Sequence, residues 1–148
     1  MLGVHALKQL YELDDSQWLG ETISLLRNHQ FQQLDLEHLI EELEDLGKEK
    51  KNAVASLLEQ VIRHLLLLQY WTKEAEHNTI HWQEEIDNFR TQLRRKMTAN
   101  LRNYLEEELN YIYEDALGFV KIKTANTVIF PSQCPYSLEQ LLDRDWLP

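Results

Sequence analysis

The feature that most constrains this chain is the absence of proline from its first 130 residues. Proline is the residue that most strongly interrupts a helix, so no such interruption occurs before Pro131. Apolar residues in this stretch recur at spacings of three and four, the period of an amphipathic helix. The sequence therefore predicts an all-α fold.

The domain organisation is predicted from length and composition. A chain of 148 residues has the size of one ordinary domain. Its hydrophobic content of 43% is that of a globular protein, which can bury a core without disulfides or metals. No internal repeat or shift in composition divides it. We predict one helical domain over residues 1–148.

Acidic residues mark the expected helix starts in the first third of the chain. Asp14 or Asp15 can accept hydrogen bonds from the free amides of a first turn, so we expect the first helix to begin there. The apolar period is lost after Asn28. Asp35 is the expected N-cap of the next helix.

Gly47 interrupts the second apolar stripe. A helix running straight through it would place Lys50 on the buried side, because the stripe continues in steps of seven. We therefore expect a break or bend at Gly47. The central core helix should follow, over residues 48–71.

The second half of the chain contains two more long stripes. Asn78 or Thr79 is the expected cap of the first, and residues 97–100 should separate it from the second. Residues 122–130 lose the period, and residues 137–140 match a capping box. The sequence thus predicts a single-domain helical bundle of about five helices, with an irregular C-terminal tail and a short terminal helix.

Charge and composition exclude several classes of protein. The formal net charge of -10 opposes nucleic-acid binding, which depends on lysine and arginine contacts to phosphate. No apolar run approaches the roughly 18 residues of a membrane span, and residues 1–17 lack a signal-peptide layout. Cys134 is the only cysteine, so no disulfide can form within the chain. We expect a cytoplasmic protein.

Motifs along the whole chain resemble one family. The N-terminal motifs are Tyr11-Glu12, Trp18-Leu19-x-Glu21-Thr22, Leu34-Asp35-Leu36 and Leu39-Ile40-Glu41-Glu42-Leu43-Glu44-Asp45-Leu46-Gly47. The later motifs are His64-Leu65-Leu66, Gln69-Tyr70-Trp71, Tyr113-x-Asp115-Ala116, Phe130-Pro131-x-x-Cys134-Pro135-Tyr136 and Asp145-Trp146-Leu147-Pro148. In this order they resemble the domain-of-unknown-function family numbered 29.

The resemblance implies an all-helical bacterial protein of a family abundant in cyanobacteria. It implies no established activity, cofactor or catalytic set. Association with small two-gene modules of the toxin–antitoxin type has been suggested for such proteins. His77 and His81 depart from the family pattern, so a site built on them would not be a family site.

The main polar motif is the acidic segment 41–45. On a helix His38, Glu42 and Asp45 fall at i, i+4 and i+7, so an imidazole and two carboxylates share one face. Such a face could bind a divalent cation or transfer a proton. The alternative is a solvated face that forms salt bridges with the lysines of residues 48–51.

His64 lies on the stripe of the central core helix, so we expect it to be at least partly buried. A buried imidazole must find a partner or stay neutral. We expect a structural hydrogen bond to a carboxylate of segment 41–45, with a metal or catalytic role as the alternative. The candidate polar site comprises His38, Glu41, Glu42, Asp45 and His64.

His77 and His81 are four residues apart, with Glu84 and Glu85 one turn further on. This spacing copies the zinc-binding face of two histidines and a carboxylate. Spacings of the form carboxylate-x-x-histidine, such as Asp35-x-x-His38, also mimic di-metal sites in bundles. A chain with six histidines and 25 acids contains such pairs by chance. We expect no cofactor, with a divalent metal as the alternative.

A basic run without intervening acids follows. It comprises Arg90, Arg94, Arg95, Lys96 and Arg102. We expect these residues to be solvated or to pair with the acidic helix of this chain, and the alternative is an acidic partner or a phosphate. Cys134 has no basic neighbour in sequence that would lower its pKa, so we expect no nucleophile there.

Two functions from different classes fit these observations, and the sequence does not decide whether the chain is an enzyme. The first is a protein-interaction or assembly module that binds itself or another protein through an apolar groove edged by acidic residues. Its expected anchors are Trp18, Trp71, Trp82 and Trp146. The alternative is a metal-dependent, hydrolase-like bundle using His64 with Glu41, Glu42 or Asp45.

Overall fold

A computed structural model describes residues 3–148, and within this range it contains helices and no strand. The helices are α1 (Val4–Leu13), α2 (Asp15–Arg27), α3 (Leu36–Tyr70), α4 (Thr72–Lys96), α5 (Ala99–Lys123) and α6 (Leu138–Leu142), with one 3-10 turn at Phe31–Gln33. The prediction of an all-α bundle with a short terminal helix is confirmed. No helix of this range is long and apolar enough to cross a membrane.

The contacts within the chain divide it into two compact units. The first ends at Glu49 and the second is Lys50–Pro148, so α3 contributes residues to both. The core of the first unit consists of Leu7, Trp18, Leu25 and Leu34. The second core is larger and is built by the later part of α3 together with α4, α5 and the C-terminal segment. One domain over residues 1–148 stays a prediction.

The first unit contains a helix that the sequence analysis did not predict. Helix α1 spans Val4–Leu13 and places Leu7 in the core, with Leu10 packed against it. Asp14 then caps α2 as expected, because its side chain accepts a hydrogen bond from the Gln17 amide at 3.0 Å. A single residue therefore separates the two helices.

Helix α3 corrects the expectation at Gly47. The helix runs unbroken from Leu36 to Tyr70, so the predicted break is wrong, whereas the alternative of a bend at Gly47 stays a prediction. All of residues 43–52 are exposed, and Lys50 is not buried. Before Gly47, Leu39 packs against the first core, whereas Ile40, Leu43 and Leu46 of the expected stripe are exposed. After it, Val54 and Leu58 belong to the second core, so the two stripes need not lie on one continuous face of the helix.

The start of α4 also differs from the prediction. It follows α3 after Trp71 alone, so Asn78 and Thr79 lie inside the helix and cap nothing. Their side chains donate to the carbonyls of Glu74 and Ala75, four residues earlier. Residues 73–78 are polar, but they include good helix formers and no glycine or proline. Polarity alone was therefore not a reliable sign of a loop.

The expected separation after α4 is confirmed. Helix α4 ends at Lys96, and the Thr98 side chain caps α5 by accepting from the Leu101 amide at 3.2 Å. The predicted capping box of α6 is also present, since Ser137 and Gln140 each bond the other's backbone amide.

Arg90 of α4 binds the C-terminal segment, residues 138–148, within the second unit. The side chain is buried, and its guanidinium donates to the carbonyls of Leu141 at 2.9 Å, Trp146 at 2.7 Å and Gln140 at 3.1 Å. Gln140 and Leu141 belong to the last turn of α6, where helix carbonyls lack partners within the helix. A cation at that end is favoured by the helix dipole.

Replacing Gly47 with alanine tests the continuity of α3. A Cβ at Gly47 meets no atom within 4 Å, and glycine is disfavoured inside an exposed helix. We expect Gly47→Ala to raise the free energy of unfolding by about 0.5–1 kcal/mol. Urea unfolding followed by circular dichroism measures it. Gly47→Pro should lower the stability sharply, and a neutral effect of both changes would contradict a continuous helix.

Replacing Arg90 with alanine tests the attachment of the tail. It removes three charge-assisted hydrogen bonds and leaves buried carbonyls without donors, so we expect a loss of about 2–5 kcal/mol in the free energy of unfolding. Hydrogen exchange should show faster exchange of the amides of residues 138–146. Arg94→Ala is the control, because Arg94 is exposed and its loss should cost less than about 0.5 kcal/mol.

Candidate functional site

The candidate site is a cluster of polar and aromatic side chains in the first unit. Tyr11 comes from α1, Trp18 from α2, Asp35 from the residue before α3, and His38 and Glu42 from the first two turns of α3. Hydrogen bonds and ring contacts connect all five. The cluster therefore joins the three helices of the unit.

Asp35 is the centre of the cluster and is completely buried. Its carboxylate accepts from the Trp18 indole at 3.2 Å, from the His38 backbone amide at 3.3 Å and from His38 Nδ1 at 2.5 Å. The amide bond confirms Asp35 as the N-cap of α3. Since an ionised carboxylate can only accept, the proton of this pair lies on Nδ1.

Tyr11 covers the other side of the histidine. Its ring is stacked on that of His38, with centroids 4.0 Å apart and planes inclined by 14°, and its edge meets Trp18. The Tyr11 hydroxyl donates to Glu42 Oε1 at 2.5 Å. This hydrogen bond is the main cause, and desolvation the second cause, of a pKa of Tyr11 that lies far above its ordinary value. The hydroxyl thus remains a donor under all ordinary conditions.

His38 is the member of the cluster that reaches solvent, with 18% of its side chain exposed. Its Nε2 lies 4.0 Å from Glu12 Oε1, while Nδ1 bonds Asp35. The hydrogen bond to Asp35 raises the pKa of His38, more than desolvation lowers it. An Asp–His pair of this kind fixes the tautomer and can hold or release a proton at Nε2.

The structure brings together part of the predicted polar site. His38 and Glu42 belong to the cluster, whereas Glu41 and Asp45 are exposed and form no side-chain hydrogen bond within residues 3–148. The same range contains no ion pair between segment 41–45 and the lysines of residues 48–51. The acidic face is therefore solvated, and the expected salt bridges are absent from it.

Tyr11, Trp18 and Asp35 were not predicted as members of the polar site, although Trp18 was an expected interface anchor and Asp35-x-x-His38 a spacing that mimics a metal site. The spacing Asp35-x-x-His38 was a usable signal, because a capping carboxylate and a histidine three residues later lie at the same end of a helix. Tyr11 and Trp18 reach the site from other helices. Single-helix spacing could not indicate them.

His64 lies in the second unit with other neighbours. It is half-buried, its Nδ1 bonds the Gln60 carbonyl at 2.7 Å, and its ring contacts Phe89. Desolvation lowers the pKa of His64, and the hydrogen bond to Gln60, followed by the charge of Glu85, opposes this shift. Within residues 3–148 the His64 ring has no hydrogen bond to a carboxylate. The expected bond to segment 41–45 is not present, and the ring instead bonds the Gln60 carbonyl of its own helix. The hydrolase alternative stays a prediction.

The other candidates are mostly exposed. His77 and His81 lie on the surface of α4, and the described residues contain no group of three or more His, Cys, Asp or Glu that could hold a metal ion. The Cys134 thiol is half-buried and donates to the Tyr136 carbonyl, and burial raises its pKa. A raised pKa opposes formation of the thiolate, which is the reactive form of cysteine.

The basic run divides into two parts. Arg90 is buried and bound to the tail, whereas Arg94, Arg95, Lys96 and Arg102 are exposed. Within residues 3–148 these four form no ion pair with a carboxylate. The predicted pairing with the acidic helix is therefore not seen, and solvation describes these four residues.

Comparison with known proteins places the chain in a family. The model of the family described as "Domain of unknown function DUF29" matches residues 10–147. The chain belongs to this family. No curated protein and no solved structure matches it. The family match covers every residue of the cluster and assigns it no chemistry.

The His38–Asp35 pair predicts a pH-dependent stability. The pKa of His38 is higher in the folded protein than its ordinary value of 6.5, so its stabilising contribution is complete below about pH 6.5 and is lost as the pH rises through the folded pKa. The free energy of unfolding should decrease over that window. His38→Gln should remove this part of the slope, measured by urea unfolding at several pH values.

The control for the pH experiment is His77→Gln, which removes an exposed histidine of α4. It should leave the slope of stability against pH as in the wild type. Asp35→Asn adds a second check, since NMR titration should then give a lower pKa for His38. An unchanged His38 titration in that variant would contradict the role of Asp35.

Proposed function

We propose that this DUF29 family member is a protein-interaction module and that its first unit provides the binding surface. The observation that carries the proposal is a row of exposed aliphatic side chains on α3. These side chains are separate from the core of the unit. Apolar area that stays in water in the isolated chain favours association with a partner that covers it.

The row on α3, here called the α3 stripe, consists of Leu36, Ile40 and Leu43. Their exposed fractions are 57%, 53% and 59%. They occupy positions i, i+4 and i+7, which lie on one side of a helix. The same helix turns Leu39 towards the core of the unit, so the stripe is a second apolar face.

Helix α2 carries a similar row. Leu19, Ile23 and Leu26 are exposed and again occupy positions i, i+4 and i+7, whereas Trp18 and Leu25 of the same helix are buried. Leu19 and Glu42 line one cavity of about 220 Å³, so the start of this row lies beside α3. Both helices therefore present apolar side chains beyond those that form the core.

The tryptophans do not supply the expected anchors. Trp18 and Trp82 are buried, and Trp71 and Trp146 are half-buried. Trp71 and Trp82 stack on each other with centroids 6.2 Å apart, and Trp146 contacts Tyr136. They serve the interior of the protein. The proposed interface is consequently aliphatic.

A narrower form of the proposal concerns the source of the partner. If the chain is one half of a toxin–antitoxin-like pair, its partner is encoded by a neighbouring gene. Co-expression of the two genes should then give a complex of fixed stoichiometry and restore growth that the toxic component alone inhibits. A neighbouring product that neither binds nor affects growth would refute this form and leave the general one intact.

The general proposal is tested by the double substitution Ile40→Gln and Leu43→Gln. Both side chains are exposed, so stability should change by less than about 1 kcal/mol while the apolar surface is lost. Affinity purification with quantitative mass spectrometry should show a partner that is lost with this variant. The purified partner should bind the wild type at least about tenfold more tightly than it binds the double variant, a difference of about 1.4 kcal/mol in binding free energy.

The matched control replaces Ile80 and Ile122 with glutamine. These two isoleucines are at least as exposed as the stripe residues and lie on α4 and α5. Partner binding should persist in this variant. Equal loss of binding in both double variants would show that general surface hydrophobicity is responsible. If the wild type captures no specific partner, the proposal is refuted.

A further inference from the structure

We propose that the partner covering the α3 stripe is an amphipathic helix with a row of lysines or arginines beside its apolar face. The inference rests on the proposed function, because it names the class of partner for the same surface. It follows from the charges that border the stripe and from the weak neutralisation that they receive from basic residues within residues 3–148.

An acidic row runs parallel to the stripe. Glu37, Glu41 and Glu44 each directly follow one of the stripe residues in sequence. Successive residues of an α-helix are rotated by about 100°, so the three carboxylates form their own row along one flank of the stripe. All three side chains are exposed. A partner that lies on the stripe must therefore meet this row.

The acidic row has little neutralisation from its own chain. Glu37 has a basic partner, Lys8, at 3.6 Å, and both side chains are largely exposed. Within residues 3–148, Glu41 and Glu44 form no ion pair. Exposed pairs contribute about 0–1 kcal/mol, so Lys8 can be displaced from Glu37 at small cost. All three carboxylates are available to a basic partner.

The wider charge distribution acts in the same direction. Residues 1–49 contain 11 acidic and three Lys or Arg residues, whereas residues 50–148 contain 14 and 12. Most of the net charge of -10 thus belongs to the unit that carries the stripe. Such a field attracts cationic partners, accelerates their association and repels acidic proteins and anionic membranes.

A second copy of the chain does not fit the same surface. In a symmetric dimer the same patch meets itself, so two α3 stripes in contact would bring together two copies of residues 36–47, which contain five acidic residues and no Lys or Arg. Like charges at an interface oppose binding. A basic helix instead offers both complements, since helix-in-groove recognition uses apolar anchors at i, i+4 and i+7. The stripe spans eight residues, 36–43, a rise of about 10 Å, which matches two turns of a partner helix.

The experiment uses two synthetic helical peptides of about 18 residues with identical leucine positions. One carries lysines beside the apolar face and the other carries glutamates. Fluorescence anisotropy with the full chain should show binding of the lysine peptide alone. Its dissociation constant should rise about tenfold or more between about 50 mM and 300 mM salt, because salt screens exposed charges.

Two triple variants separate local recognition from general attraction to an acidic protein. Glu37→Gln, Glu41→Gln and Glu44→Gln together should weaken binding of the lysine peptide about tenfold at low salt. Glu106→Gln, Glu107→Gln and Glu114→Gln remove the same net charge from exposed positions of α5. This control should change the dissociation constant less than about twofold. Circular dichroism verifies that both variants are folded.

Three outcomes would overturn the inference: equal weakening by the two triple variants, equal binding of the glutamate peptide, or no binding of the lysine peptide. The failure of the proposed function is distinguishable from these. If Ile40→Gln with Leu43→Gln still abolishes binding of the natural partner while the lysine peptide does not bind, the stripe is an interface for a partner of different charge.

Discussion

The buried carboxylate of Asp35 is the interaction on which the first unit depends. An isolated charge in an apolar interior is strongly unfavourable, and here it is compensated by the Trp18 indole, the His38 amide and the His38 ring. One side chain thereby caps α3, fixes the position of α2 and orients an imidazole. Through the stacking of Tyr11 on His38 the same carboxylate also determines the position of α1.

This arrangement lets the start of α3 serve two purposes. One side of the helix, with His38, Leu39 and Glu42, is committed to contacts within the unit, while Leu36, Ile40 and Leu43 remain exposed. The hydrogen-bonded cluster holds the helix firmly, so its exposed row is presented on a rigid element. A rigid surface loses less conformational entropy when it binds than a mobile one does.

Local signals predicted much of the fold, and tertiary contacts account for the rest. Asp14, Asp35 and the capping box at Ser137 were predictable because a cap depends on neighbours within a few residues. The error at Gly47 arose because the periodic argument treated every apolar residue of α3 as buried in one core. Ile40 and Leu43 are exposed, so the helix continues without burying Lys50. For the site, His38 and Glu42 were found from spacing, but Tyr11 and Trp18 required knowledge of how α1 and α2 pack on α3.

The attachment of the C-terminal segment has a consequence for synthesis of the chain. The contacts of the first unit connect residues that are close in sequence, such as Tyr11 and Glu42, which are 31 residues apart. All of its residues have been synthesised once the chain reaches residue 49. Arg90 and Trp146 are 56 residues apart, and Gln69 bonds Tyr136 across 67. The second core also requires Leu138 and Leu141. On the ribosome, the residues that form the first unit therefore emerge before those that complete the second core.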